Sequence, residues 1–253
     1  MQPKSIILFF YGYILFFRRH IILWGYFSFP YEILKIQDPS GVVSYGYTEN
    51  AKAYLKSYLV TLLLTACAVI IGVIIGFSLA ILRFSKFKTL NLIIDEYIDI
   101  IRGTPVILQL MIFAFVIFTF IDNLYAAILA LGLNSSAYIA EIVRSGINSV
   151  DKGQMEAARA MGLDYKTSMK EIILPQATKN ILPALANEFI SLFKETSVVG
   201  FISVVDITMQ SQSLQAVLYN PKPIIFAGLV YYVSVKIFSY FAKKLELRMN
   251  KND

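Results

Sequence analysis

The chain has 253 residues, of which 57% are hydrophobic and 16% are charged, and its formal net charge is +6. Together with a mean hydropathy of +0.62, this balance excludes a water-soluble domain of ordinary composition. The length allows five or six membrane spans of roughly 20 residues each, with short loops and one polar insertion, and leaves no room for a second soluble domain.

Residues suited to catalysis or metal binding are few in this sequence. Cys67 is the single cysteine and lies in an apolar run, which excludes an intramolecular disulfide and a cysteine-based metal site. His20 is the single histidine, and no Ser and Asp accompany it at an informative spacing. The sequence also has no Gly-x-x-x-x-Gly-Lys-Ser/Thr loop for a nucleotide phosphate. We therefore expect no enzyme activity and no bound cofactor, so that any ATP and magnesium are held by a partner chain.

Residues 1–50 are interpreted as an N-terminal hydrophobic segment followed by a linker. Apolar runs at residues 6–17 and 21–29 are each too short to span a membrane, and a basic cluster at residues 18–20 separates them. An extra tilted span and a helix lying at the interface both fit this pattern. A signal peptide is a third alternative, although the basic n-region and the small-residue cleavage site are missing. Residues 37–50 are rich in turn formers and predict an exposed linker.

Residues 51–245 contain the apolar segments and form the predicted transmembrane domain. Segments of membrane-crossing length lie at residues 59–82, 106–121, 124–142, 181–205 and 224–241. The predicted fold class is therefore all-α, a polytopic membrane protein with a core of five helices.

The distribution of Lys and Arg assigns the sides of the membrane. Basic residues follow the first and the last span and recur through the polar insertion at residues 144–180, and five spans place all three groups on one side. The connections near residue 122 and at residues 206–220 carry almost none. This pattern predicts that the insertion and the tail at residues 246–253 are cytoplasmic. Attraction to anionic membrane lipid accounts for the net charge without a nucleic acid partner.

The second predicted span begins at a helix break, Arg102-Gly103-Thr104-Pro105. We expect Thr104 to cap the helix that follows and Pro105 to occupy its first turn. Free backbone N–H groups and Arg102 would then receive a carboxylate at membrane depth. The alternative is that Asp99 pairs with Arg102 one turn away and that the break only shapes the span.

Ionisable side chains inside the other spans are costly in lipid, so they should face protein or a water-filled path. These candidates are Glu141, Glu188, Lys194 and Glu195. Structural pairing of Glu141 with Arg144, and of Asn187 with Lys194, is the alternative, because each pair shares a helix face.

The polar insertion predicts a helix, a tight turn and a second helix. Asp151 can cap the first helix, Gly162 suits a left-handed residue at its end, and Asp164 can cap the second helix. Small residues would form one face of the first helix and permit close approach of another protein; they are Ala157, Ala158 and Ala160. An ordinary connecting helical hairpin is the alternative.

The spacing of this insertion resembles a known motif. Glu156-Ala157-Ala158, three residues, Gly162, nine residues, Ile172, one residue and Leu174-Pro175 resemble the EAA loop of bacterial ABC importer permeases. Further motifs resemble the polar amino acid branch of that family, and the resemblance covers roughly residues 52–242. These motifs are Thr61-Leu62, Arg102-Gly103-Thr104-Pro105, Ala137-Tyr138 with Ala140-Glu141, Gly153-Gln154, Leu174-Pro175-Gln176-Ala177 and Lys194-Glu195-Thr196-Ser197.

The resemblance implies a five-helix ABC importer permease core in a bacterial inner membrane. Such a subunit pairs with a second permease subunit of the same or a related chain, docks two ATPase subunits and receives a polar amino acid from an extracytoplasmic binding protein. The residues implied in ATPase coupling are Gln154, Glu156, Ala157, Ala158, Gly162, Leu174 and Pro175. The candidates for the substrate path are Arg102, Gly103, Thr104, Glu141, Lys194, Glu195, Thr196 and Ser197.

Two other functions compete with this interpretation. A secondary transporter or channel would use the same buried charges without an ATPase, but the sequence lacks the internal repeat that is common in such proteins. A membrane-anchored enzyme would need a reactive constellation of residues, and the sequence has none. Neither alternative has a use for the EAA pattern.

Overall fold

The computed structural model describes residues 36–37, 44–45, 47–85 and 87–249. The predicted apolar runs at residues 6–17 and 21–29 lie outside the described residues. The strands Ile36–Gln37 (β1) and Ser44–Tyr45 (β2) pair antiparallel. The helices, in chain order, are α1 Tyr47–Leu82, α2 Lys88–Gly103, α3 Val106–Ile112, α4 Asn123–Asn148, α5 Lys152–Ala160, α6 Tyr165–Ser168, α7 Leu174–Glu195, α8 Ile207–Leu218 and α9 Lys222–Met249, with π turns at Phe113–Ile117 and Met169–Ile173 and a 3-10 helix at Thr196–Ile202.

Three of the described helices are long and apolar enough to cross a membrane, namely Asn50–Leu82 within α1, then α4 and α9. The predicted spans at residues 59–82, 124–142 and 224–241 fall on these helices. The predicted span at residues 106–121 falls on α3 and its π turn, which are bent by 107° from α2 and would make a fourth span together with it. The break between α2 and α3 is therefore a sharp corner.

The predicted span at residues 181–205 falls on a helix that is not among these three or four candidate spans of the described residues, and its predicted limits also differ from the structure. The α-helix α7 begins earlier, at Leu174, and ends at Glu195, where the chain tightens into the 3-10 helix. The sequence after Glu195 contains Thr196, two valines and a glycine, all of which lower helix propensity. Thr196 also turns its side chain onto the backbone, donating to the Phe193 carbonyl at 2.7 Å. The 3-10 helix ends at Ser203, which has a left-handed conformation with a φ of 62°.

The predicted short connection at residues 206–220 is also wrong, because it contains the helix α8. Asp206 caps this helix, since its carboxylate accepts from the Met209 N–H at 2.8 Å and from the Thr208 N–H at 3.1 Å. Ile207 and Leu214 on one face of α8 are buried. The cap and this apolar face were both readable in the sequence, but the segment is too short and too polar to register as a span.

Small residues allow the long helices to pack closely. A Cβ atom at Gly76 of α1 would lie 2.8 Å from the Cβ of Ile139 on α4. Similarly, a Cβ atom at Gly146 of α4 would collide with Cγ1 of Ile181 on α7. Helices in a membrane associate by this kind of close backbone approach, since lipid provides no hydrophobic drive. The helix α4 thus lies at the centre, between α1 and α7.

The helix α2 packs along one side of α4. Ile94 and Ile98 are buried against Ala137 and Ala140 of α4. Tyr97 adds a polar contact, since its hydroxyl donates to the Leu133 carbonyl at 2.9 Å. This packing carries Arg102, at the end of α2, to the flank of α4.

Candidate functional site: a helical hairpin and the polar groove beside it

The insertion between α4 and α7 folds as the predicted hairpin. Asp151 caps α5 by accepting from the Gly153 N–H at 2.7 Å, and Asp164 caps α6 by accepting from the Thr167 N–H at 3.2 Å. Hydrogen bonds from Thr167 hold the pKa of the Asp164 carboxyl below its usual range. Both predicted caps are confirmed, and together they satisfy N–H groups that a helix start leaves without a partner.

Gly162 makes the turn that the sequence predicts. Its φ is +88°, in the left-handed region that favours glycine. The Gly162 N–H donates to the Arg159 carbonyl at 3.1 Å, and the Leu163 N–H donates to the Ala158 carbonyl at 3.2 Å. This pair of bonds is the Schellman motif, which closes the end of α5. The hairpin therefore has a defined shape that depends on one glycine.

The predicted small-residue face is correct for two alanines and wrong for the third. Ala157 and Ala160 are exposed, whereas Ala158 is fully buried. Adjacent residues of an α-helix point about 100° apart, so Ala157 and Ala158 cannot share one face. The outer surface of the hairpin also includes Met161, which is 72% exposed, and Tyr165, which is 53% exposed. Gln154 and Glu156 complete that surface.

The base of the hairpin is joined to α4 and α7. Pro175 lies in the first turn of α7, and Leu174 beside it is 39% exposed. Asn180 of α7 donates to the Ser149 hydroxyl at 2.7 Å, just after α4 ends. Gln176 donates to the Ile172 carbonyl at 3.0 Å and lies 3.5 Å from Oε1 of Gln154. The base of the hairpin is thus tied by hydrogen bonds to the end of α4 and to the start of α7.

The helix break at residues 102–105 differs from its prediction. Thr104 does not cap α3; its hydroxyl donates back to the Ile100 carbonyl at 2.9 Å, and Pro105 occupies the capping position. Proline forces the residue before it into an extended conformation, and Thr104 has φ −117° and ψ 146°. Gly103 and Thr104 are exposed. Thr104 therefore ends α2 and does not begin α3.

Gln109 holds this break, and the sequence interpretation missed it. Its amide nitrogen donates to the Ile101 carbonyl at 2.7 Å and to the Thr104 hydroxyl at 2.8 Å. Its amide oxygen accepts from Nδ2 of Asn134 on α4 at 2.9 Å. Gln109 and Asn134 are both buried. The available signal was a lone glutamine in an apolar stretch, because such a residue needs partners in a membrane.

A groove of about 400 Å³ lies between the end of α2, α4 and the start of α7. The Arg102 guanidinium stands 5.4 Å from the centre of the Tyr138 ring. Within the part of the chain that the structure describes, no ion pair within 4 Å joins Asp99 to Arg102, so the alternative pairing is not seen. The groove is lined by Arg102, Tyr138, Glu141, Ile142, Ser145, Gly146, Ser149, Asn180 and Ala184.

Glu141 enters the groove already paired with two arginines. Its carboxylate accepts from Nε of Arg144 at 2.8 Å and makes a second contact with the same guanidinium. Nη1 of Arg83, which follows α1, lies 3.4 Å from Oε2 of Glu141, the same oxygen that accepts from Nε of Arg144. The predicted pairing of Glu141 with Arg144 is therefore present. The contact with Arg83 was missed, because it joins residues 58 positions apart.

The other path candidates lie away from this groove. Lys194 is exposed, Glu195 and Ser197 are half-buried, and Thr196 is fully buried at the end of α7. The 14 residues from Asn180 to Lys194 correspond to about 21 Å of helix at about 1.5 Å per residue. The structure thus brings Arg102 and Glu141 together but keeps residues 194–197 apart from them.

Glu188 lies on α7 between these two places. Its carboxylate accepts from the buried Ser135 hydroxyl of α4 at 2.8 Å. The predicted pairing of Asn187 with Lys194 would lie on the neighbouring exposed face, and both residues are exposed. Two neighbouring faces of α7 therefore carry polar side chains.

The chain is similar to a known family of transport proteins. The model of the family described as "Binding-protein-dependent transport system inner membrane component" matches residues 44–251. The arginine transport system permease protein ArtQ of Bacillus subtilis (strain 168) is 44% identical over 183 residues, covering 70% of this chain and 84% of the relative. The putative glutamine transport system permease protein GlnP of Rickettsia conorii is 40% identical over 182 residues, covering 70% and 84%.

Solved structures share the fold. A crystal structure of an amino acid ABC transporter with histidines matches with a TM-score of 0.76 and 38% identity, covering 84% of this chain and 99% of that one. An inward-facing MetNI methionine ABC transporter matches with a TM-score of 0.68 and 19% identity, covering 78% and 96%, and this likeness concerns the fold alone. Hence the chain belongs to the family of binding-protein-dependent transport system inner membrane components, among the permeases of amino acid ABC transporters.

Proposed function

We propose that this chain is the membrane-spanning subunit of an ATP-driven importer for a polar amino acid, and that the loop at residues 151–175, which contains the hairpin, docks a separate ATPase. Family membership supports the importer. The names of its relatives, which refer to arginine and to glutamine transport, support the substrate class. The hairpin is the observation that carries the coupling role.

The hairpin has the properties of a docking element. Met161 and Tyr165 expose apolar surface beside Glu156 and Ala157, and such surface on a polar loop marks a protein contact. Two aspartate caps and the Gly162 turn hold its shape without a partner. Its base at Pro175 continues directly into α7. An ATPase that grips the hairpin therefore moves α4 and α7 with it.

The remaining subunits follow from this role. A second permease subunit, the same or a related chain, completes the path, and two ATPase subunits bind the ATP and magnesium. An extracytoplasmic binding protein delivers the amino acid. The basic residues of the insertion and of the C-terminal tail support a cytoplasmic position for both at a bacterial inner membrane, where anionic lipid would attract them.

The polar groove is the cytoplasmic part of the substrate path in this proposal. Arg102 offers a guanidinium that is stacked on Tyr138, and a substrate carboxylate is its natural ligand. The Glu141 carboxylate is already occupied by Arg144 and Arg83. Glu188 and residues 194–197 continue the polar side of α7 further along the route. A secondary transporter has no use for the capped hairpin, and the family does not favour it.

The Gly162→Val variant tests the coupling role. A residue with a Cβ atom costs roughly 1–2 kcal/mol in the left-handed conformation, and a β-branched residue is the least tolerant, so the turn should open. In vesicles with the ATPase and binding protein of the same cell, we expect loss of amino acid uptake and of substrate-stimulated ATP hydrolysis. Gly162→Asn should keep both, because Asn tolerates this conformation.

A matched control is available in the same chain. Gly228 of α9 has open space around its Cβ position and no positive φ, so Gly228→Val introduces the same side chain without strain. We expect this variant to transport normally. Normal coupling in Gly162→Val, at membrane levels equal to those of Gly228→Val, would contradict the docking role of the hairpin.

A further inference from the structure

Arg83 stands where three helices meet, and neither the docking surface nor the groove lining uses it. It follows the last residue of α1. Its guanidinium makes an ion pair with Asp95 of α2 and lies 3.4 Å from Oε2 of Glu141 on α4. The Arg83 side chain is only 23% exposed. One side chain thus bridges the end of α1, the middle of α2 and the C-terminal part of α4.

The partners of Arg83 depend on it unequally. Glu141 keeps two contacts from Arg144 if Arg83 is removed. Oδ1 of Asp95 is buried although the side chain as a whole is 42% exposed, and no hydrogen-bond partner for this oxygen is found among the described residues, so the ion pair with the guanidinium is its compensation. Without Arg83 this oxygen is unpaired, and the partly exposed side chain can turn further into water. Loss of Arg83 should therefore release α2 more than α4.

The two helices that Arg83 joins lead to different functional parts. Glu141 lies seven residues before α4 ends at Asn148, or about 10 Å at about 1.5 Å per residue, and the hairpin begins directly after it. Asp95 likewise lies seven residues before Arg102. A rigid link between Asp95 and Glu141 therefore connects the hairpin to the arginine of the groove.

We propose that Arg83 is a positioning residue. It makes α2 move as one body with the end of α1 and the C-terminal part of α4, so that a displacement of the hairpin also displaces Arg102. This inference rests on the proposed function. Arg83 itself touches neither substrate nor ATPase in this arrangement. Its fork of N–H donors suits the task, because two carboxylates on different helices are reached by one planar group.

The first test measures the distance between α2 and α4 directly. Nitroxide labels at Leu92, which is exposed on α2, and at Asn148, at the exposed end of α4, report this distance when Cys67, the one native cysteine, is replaced by serine. We expect one narrow distance distribution in the reconstituted complex, with and without a non-hydrolysable ATP analogue. In Arg83→Gln we expect a broad distribution.

The second test measures coupling. We expect Arg83→Gln to lower the amino acid transported per ATP hydrolysed by about tenfold, within the range seen for residues on a coupling route. Asp95→Asn, which removes only the α2 contact, should reproduce most of this loss. Arg83→Lys should recover only part, because an ammonium cannot reach both carboxylates as a fork. Lys88→Gln, at the exposed start of α2, is the matched loss of one positive charge and should behave as wild type.

The outcomes separate the inference from the proposed function. Wild-type coupling and an unchanged distance distribution in Arg83→Gln would overturn the role of Arg83 while leaving the importer intact. A wild-type complex without substrate-stimulated hydrolysis would overturn the proposed function, and the distances alone would then decide whether Arg83 holds α2 to α4. If Arg83→Gln does not reach the membrane, Asp95→Asn and Arg83→Lys decide by the same two measurements.

Discussion

The hairpin and the groove beside it are held together in opposite ways. The hydrogen bonds that cap α5 and α6 and close the Gly162 turn join residues two to five positions apart. Among the groove residues, Glu141 is met across 58 positions by Arg83, which lies outside the lining, and Ser149 is met across 31 positions by Asn180. The hairpin can therefore be displaced without changing shape, whereas the groove must change shape whenever its helices shift. A transporter needs both kinds of construction, one to receive force and the other to respond to it.

The largest expected effect comes from separating the helices under the groove. In Gly146→Val, the new side chain would collide with Ile181 of α7, whose Cγ1 lies against the Cβ position. We expect the free energy of unfolding to fall by about 3 kcal/mol, the upper part of the range for overpacking. Thermal unfolding in detergent measures this loss, with Gly228→Val as the control.

The same variant also tests whether the structure of the hairpin is independent of the packing between α4 and α7. If the hairpin is independent, the capped amides of Gly153 and Thr167 should keep their hydrogen-exchange protection while amides at the contact between α4 and α7 lose theirs. Equal loss of protection in the hairpin and at this contact would mean that the hairpin depends on the packing of α4 on α7. An unfolding temperature equal to that of Gly228→Val would mean that this contact tolerates the new side chain.

A smaller effect is expected where one buried amide holds the helix break. Gln109→Leu removes the donor to Ile101 and Thr104 and leaves Nδ2 of Asn134 without its acceptor. A buried donor without a partner costs about 1–3 kcal/mol, so we expect a loss of about 2 kcal/mol in unfolding free energy. The exposed Gln212→Leu of α8 is the matched control and should lose little.

A double variant tests the pairing itself. Gln109→Leu combined with Asn134→Leu removes both partners, and removing both is less costly than leaving one unsatisfied. We therefore expect the double variant to lose less unfolding free energy than the two single variants lose in sum. Strict additivity in thermal unfolding would show that the two amides do not depend on each other.

The difference in construction also explains which parts could be predicted from the sequence. Asp151, Gly162 and Asp164 were predicted correctly, because a cap or a left-handed turn is encoded by one residue and its immediate neighbours. The family resemblance was also correct, because the EAA spacing is a local pattern. The membrane character followed from composition alone.

The errors concern positions whose role is set by another helix or by direction along the helix. Ala158 was grouped with its exposed neighbours, although the helical period turns it inward. Thr104 was assigned to α3, although the proline after it makes it the end of α2. Arg83 and Gln109 were missed, because nothing in one sequence states which distant residue will face them. Such pairings become readable only once the packing of α2 and α3 on α4 is known.

The smallest expected effect concerns the outer surface of the hairpin, where side chains can be changed without touching its internal bonds. Met161→Ala and Tyr165→Ala each remove an exposed side chain of the proposed docking surface. We expect each to weaken ATPase binding about tenfold, as loss of an apolar anchor in an interface does. Thermal unfolding of the permease alone should not change, and protection of the Thr167 amide should be retained. Lys166→Ala, an exposed neighbour on α6, is the control for binding measured by titration of the purified permease with its ATPase. If all three variants bind as wild type, the ATPase contacts another surface, and the rigid hairpin would then be only a connection between α4 and α7.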